Sequence, residues 1–196
     1  MKRLVIALAV TLLMALGACS SSDASGAPGS ADLALSGRMN SIATAVDDWG
    51  HATTLPEAKA GAEAALNLVV GAAGPFYGDG DGDGQLQGAS DNGLLPGLHG
   101  EQGLAQSEPI NACVGEEVLG GAWEDPGDRW DVAAVVYSKW TPSNNIMPTL
   151  ASHPQRIVGW AILTLASDSL DEAHDYARNA QLHVDVSQAA IEACSR

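Results

Sequence analysis

The chain has 196 residues, enough for one domain with a real core, and carries 24 Asp and Glu against nine Lys and Arg, a formal charge of −15. So acidic a surface repels nucleic acid and anionic lipid headgroups and attracts cations. Nucleic acid is therefore excluded as a partner.

Residues 1–18 read as a targeting segment. Lys2 and Arg3 form a positive start, residues 4–16 are an apolar stretch too short to span as a mature helix, and Leu16-Gly17-Ala18-Cys19 closes it. That tetrapeptide resembles the lipobox of bacterial lipoproteins. The resemblance implies that Cys19 becomes the first mature residue and carries lipid. The lipid would anchor an extracytoplasmic domain to a bacterial membrane. The competing reading is an ordinary secretory signal with an incidental cysteine. Cleavage would remove two positive charges and no acid, taking the formal charge from −15 to −17. Lipid on Cys19, and not a basic patch, must then hold the protein at the membrane. Residues 19–31 are small and polar, with Gly26, Pro28 and Gly29, and read as a flexible tether.

A first helix is predicted over 32–48, with Leu33, Met39, Ile42, Ala43 and Val46 on its inner face and Trp49-Gly50 at its end. The second starts at Thr54-Leu55-Pro56-Glu57, a capping box with Pro56 where its missing N–H costs nothing. Its body, 58–73, is rich in alanine and apolar on more than one face, which predicts deep burial. Gly71, Gly74 and Pro75 stop it.

An acidic glycine-rich stretch follows, GDGDGDGQLQGASD over residues 78–91. Asp79, Asp81 and Asp83 stand at alternate positions, Gly84 is sixth and Leu86 eighth, and the spacing resembles an EF-hand calcium loop. Three carboxylates two residues apart can converge on a hard cation from a tight turn. Gly84 permits the bend, Gln85 offers its carbonyl, and Leu86 can pin the loop to a core. The twelfth position, normally a bidentate Glu, is Ser90, so Asp91 is the stand-in. The predicted ligands are Asp79, Asp81, Asp83, Gln85 and Asp91. The missing Glu predicts a weak structural calcium site, with a dissociation constant on the order of 10⁻⁴–10⁻³ M. A solvated acidic turn without metal is the alternative.

From 88 to 127 periodicity disappears, so an irregular insert carrying the loop is expected over about 75–127. With Cys19 lipidated, Cys113 and Cys194 remain, and in an oxidising compartment they most simply pair. Two separate buried thiols are the alternative. Helical spacing returns at Asp128 with Trp130, Ala133, Ala134, Tyr137 and Trp140, before Thr141-Pro142 breaks it. A short turn over 144–150 precedes two further capping boxes, Ser152-His153-Pro154-Gln155 and Ser169-Leu170-Asp171-Glu172. The last helix carries Leu170, Ala173, Ala177, Ala180, Val184, Ser187, Ile191 and Cys194 three and four apart, a bundle seam of small residues.

The predicted fold is a single all-α domain over 32–196, a helical bundle of about four or five helices with a long irregular crossover. Residues 40–98 are similar to a region of bacterial secreted and anchored helical proteins of unassigned role. Catalytic signatures are absent: there is no nucleophile elbow, phosphate-cradling loop or His-Glu-x-x-His. The sequence thus reads as a lipid-anchored cell-envelope protein, a non-enzymatic binding or scaffold module braced by calcium and a disulfide. Its protein or small-molecule partner is not specified. The alternative is an enzyme or metal-handling protein with a site in the bundle near His174 and His183, where Asp171 and His174 have the i, i+3 spacing of bundle metal sites. The anchor has a direct check. Cys19→Ser is expected to leave the membrane fraction and to lose lipid label; a variant that still fractionates with membranes contradicts the lipobox.

Overall fold

The computed structural model describes residues 30–106, 112–141 and 146–194. The targeting segment, Cys19 and most of the tether lie outside the described residues. Within them the chain forms six helices and no strand: α1 (Ser30–His51), α2 (Leu55–Val70), α3 (Ala112–Glu117), α4 (Pro126–Lys139), α5 (His153–Ala166) and α6 (Leu170–Cys194). The fold is all-α, as the periodicity predicts.

On α1 the core stripe is Leu35, Met39, Ile42, Val46 and Trp49, spaced four and three apart and all buried. Leu33, expected inside, is 61% exposed. It lies two positions before Leu35, about 200° round the helix. The α2 capping box forms in full. The Thr54 hydroxyl accepts from the Glu57 N–H, and the Glu57 carboxylate accepts from the N–H groups of Thr53 and Thr54. The Thr53 hydroxyl, which also donates to that carboxylate, and then those N–H groups hold the Glu57 carboxyl below its ordinary pKa range. The helix stops at Val70, three residues early. Gly71 adopts φ +66°, and a Cβ there would lie 2.1 Å from the Gly93 nitrogen, so the returning chain leaves room only for glycine.

Two later caps differ from expectation in one partner each. The Ser152 hydroxyl accepts from the Gln155 N–H but donates to the Val118 carbonyl, while Gln155 is itself buried. At α6 the Glu172 carboxylate accepts from the Ser167 hydroxyl at 2.8 Å, a donor two residues before the cap. Along α6, Ala173, Ala177, Ala180, Val184, Ser187 and Ile191 are buried, the seam read from their spacing.

Four helices make the bundle. α1 packs on α2 and α6, and α5 packs on the same two, which closes a ring of four. The short links 52–54 and 167–169 make two antiparallel hairpins, and residues 71–152 cross between them. Within that crossover α3 packs on α6 and α4 on α5. Its backbone is tied at several points. The N–H groups of Leu94, Leu95 and Leu98 donate to the carbonyls of Leu68, Val69 and Ala73 at and beyond the end of α2, which lacks helical partners for them. The Arg129 guanidinium donates to the carbonyls of Leu119, Gly120 and Ala122 and lies 4.3 Å over the Trp123 ring. The Trp130 indole donates to the Pro96 carbonyl at 2.8 Å.

Cys113 of α3 and Cys194 of α6 are joined by a disulfide, S–S 2.04 Å and Cα–Cα 5.5 Å, across 81 residues. In the chain-entropy picture a loop of that size is worth roughly 4–5 kcal/mol, an upper value because unfolded chains retain structure. Replacing both cysteines by alanine is expected to lower unfolding stability by about 2–4 kcal/mol, measured by urea denaturation. Equal midpoints for parent and double variant would show the bridge is energetically idle.

Candidate metal centre

Two polar residues interrupt the apolar surface of α2. Glu63 and Asn67 stand one turn apart, and each is at most 1% exposed. A buried carboxylate or amide is costly unless its hydrogen bonds are made. Here the acidic loop makes them. The Asn67 amide donates to the carbonyls of Gly78 (2.9 Å) and Gln87 (2.7 Å) and accepts from the Gly78 N–H (3.0 Å). Glu63 Oε2 accepts from the N–H groups of Gly80 (2.7 Å) and Asp81 (3.3 Å), and Oε1 accepts from Gln87 N–H (2.7 Å). The pair therefore holds both ends of the loop 78–87 against one helix face.

Inside the loop the aspartates fold over their own backbone. Asp79 Oδ1 accepts from the Gly82 and Asp83 N–H groups, and Oδ2 from the Gly84 N–H. Asp81 Oδ1 accepts from Asp83 N–H at 3.0 Å, and Asp83 Oδ1 from Gln85 N–H at 2.7 Å. Gly84 takes φ +85°, the bend expected at the sixth position.

One oxygen each from Glu63, Asp79 and Asp81 lie within 4.8 Å of one another, a group that can hold a metal ion. The donors suit a hard cation, since all are carboxylate oxygens. Those already accepting N–H bonds keep a further lone pair. Their burial is graded: Glu63 is buried, Asp81 intermediate and Asp79 exposed.

Of the predicted ligands, Asp79 and Asp81 are thus brought together. Asp83 and Asp91 fall outside the group. The Asp83 carboxylate is turned to the Gln85 N–H and side-chain amide, and Asp91 is exposed. Leu86 is 44% exposed and does not pin the loop; Glu63 and Asn67 do. Glu63 was not among the expected residues. Its signal is a Glu and an Asn four apart in the stretch 60–70, which is otherwise Ala, Leu, Val and Gly.

The histidines of α6 do not share a site. His174 and His183 are nine residues apart, which puts them about 180° apart round the helix. His174 Nε2 lies 2.9 Å from the Ala52 carbonyl, and His183 faces His153 of α5. A groove of about 650 Å³ runs between α1 and α2, lined in part by Ser41, Thr44, Asp48, His51 and Glu57, and reaches the loop at Gln87. Set against protein families, curated proteins and solved structures, the chain matches none.

Glu63→Ala would leave the N–H groups of Gly80, Asp81 and Gln87 without their acceptor. An expected loss of roughly 2–4 kcal/mol follows from several half-buried donors set free at once. Urea denaturation measures the loss, and amide exchange should quicken at Gly80 and Gln87. Unchanged exchange at both amides would mean that Glu63 does not hold the loop.

Proposed function

We propose that the chain is a lipid-anchored protein of a bacterial cell envelope whose helical domain is a non-enzymatic binding or scaffold module. Calcium braces its crossover at the acidic loop, and the disulfide braces it near the middle. The observation that carries this reading is the meeting of Glu63, a buried acid of the bundle, with Asp79 and Asp81 of the loop. An ion there would join the crossover to α2 through charge as well as through backbone hydrogen bonds. Glu63 supplies the acid that the loop lacks at its twelfth position, from the preceding helix instead of the following one.

Calcium is favoured over magnesium because it accepts six to eight oxygens in flexible geometry, whereas magnesium demands a near-ideal octahedron at shorter distance. Asp83, the Gln85 carbonyl and Asp91 remain the oxygens that would complete the shell. The role is structural. A weak site suits a compartment with steady calcium better than one that reads calcium pulses. The lipobox supports the location, and the groove beside Gln87 offers a partner a polar surface next to the braced loop.

The test is a melting curve of the purified protein in millimolar calcium, in magnesium and in chelator. An ion bound only by the folded loop stabilises by about 2.7 kcal/mol at a hundredfold excess over its dissociation constant. Calcium should raise the midpoint more than magnesium does, and Asp81→Asn should abolish the difference. Identical curves in calcium and chelator, with no binding heat, would reduce the loop to an acidic turn.

A further inference from the structure

Where the start of α5 packs on the middle of α6, two imidazoles face one another. His153 Nδ1 and His183 Nδ1 are 3.1 Å apart, with ring centroids separated by 5.2 Å and planes inclined at 52°. Both nitrogens cannot carry a proton at that distance. Either one N–H points at the other lone pair, or both lone pairs point at a shared cation. We propose that His153 and His183 form a binding site for a single transition-metal ion of the zinc or copper class, separate from the acidic loop.

The geometry carries the assignment. Metal–imidazole bonds are about 2.0–2.1 Å, so two nitrogens 3.1 Å apart subtend roughly 98° at a metal. That angle falls between the roughly 90° of tetragonal copper and the roughly 109° of tetrahedral zinc. An ion can enter without either ring moving far. Imidazole nitrogen is the donor these borderline ions prefer and calcium does not.

The surroundings keep both rings neutral, as ligation requires. Burial, then the charges of His153 and Arg156, push His183 down to about 4. Burial and Arg156 also lower His153, against an opposing pull from Glu117. Arg156 is held by the carbonyls of Leu150 (2.8 Å) and Pro148 (3.3 Å), and its charge moderates affinity for a dication. Glu117 is the acid whose charge acts on His153, and water would fill the positions the two imidazoles leave open. Glu117 sits at the end of α3, four residues after Cys113, so the disulfide to α6 tethers it on this side of the bundle.

The acidic loop lies elsewhere. A Cβ on Gly80 would touch Leu165 at 2.9 Å, and Leu165 is twelve residues along α5 from His153, about 18 Å. The two sites differ in place and in donor chemistry.

The experiment uses untagged full-length protein in excess calcium, titrated with zinc by calorimetry and with one equivalent of copper(II) for electron paramagnetic resonance. One zinc per chain and a copper spectrum with two coordinated nitrogens are expected. His153→Ala and His183→Ala should each weaken zinc at least tenfold, while His174→Ala and Asp81→Asn leave it unchanged. Parent protein that binds no zinc, or zinc binding unaffected by loss of either His153 or His183, overturns the proposal. If a histidine variant does not fold, the parent copper spectrum decides. Fewer than two nitrogens refutes the site.

Discussion

A buried carboxylate has to find donors, and much of this structure follows from where Glu63 finds them. The three N–H groups that meet it all belong to the acidic loop, and Asn67 one turn later takes the loop's remaining free ends. Charge-assisted bonds to backbone N–H groups are about twice as strong as neutral ones, and for an acceptor as buried as Glu63 each is costly to lose. The dependence runs both ways. Without the loop, Glu63 and Asn67 would be stranded in an apolar core. Without that pair, residues 78–87 would keep only the bonds their aspartates make to the loop's own backbone, with neither end seated on α2. The same anchoring places Asp79 and Asp81 next to a third acid, so the feature that folds the loop also concentrates negative charge in it.

The rest of the crossover follows the same logic with other groups. Where periodic hydrogen bonding ends, the spare carbonyls must be met. Beyond α2 they are met by the N–H groups of Leu94, Leu95 and Leu98, and around residues 119–122 by the guanidinium of Arg129. Arg38 and Arg156 serve other stretches in the same way, through the carbonyls of Leu68 and Leu150. In so acidic a chain, these arginines bind backbone carbonyls, and among the described residues none of them joins an ion pair, a contact that contributes little at a surface.

What the sequence made legible was whatever depends on neighbours along the chain. The α6 seam, the Thr54–Glu57 cap and the all-helical class are local periodicity and local capping. Asp79 and Asp81 could be read as part of an acidic group because their spacing alone brings them near. Glu63 could not, because an isolated polar residue in a helix of small apolar residues looks the same whether it faces water or core. The choice between Leu33 and Leu35 was equally hidden, since both are leucine and only the angle at which α1 meets its partners separates them. Asp83 turned to the Gln85 amide, an alternative that short loops always offer an aspartate. The facing of His153 and His183 needs the packing of α5 on α6, which no window of sequence contains.

The disulfide also divides the molecule topologically. Residues 113–194 are closed into one covalent ring that contains α4 and α5 and spans from α3 to the end of α6, while the α1–α2 hairpin lies outside it. A single cut inside the ring leaves the chain in one piece. A single cut between α2 and Cys113 leaves two pieces, one carrying Glu63 and the other the His153–His183 pair, with no covalent link between them, joined by packing and by hydrogen bonds such as those of His174 to Ala52 and Gln188 to Asn40. The bundle, however, takes one hairpin from each piece and pairs α1 with α6 and α2 with α5. The non-covalent joint is therefore the core itself, and a protease that reached the crossover would meet two halves still interlocked along the length of four helices.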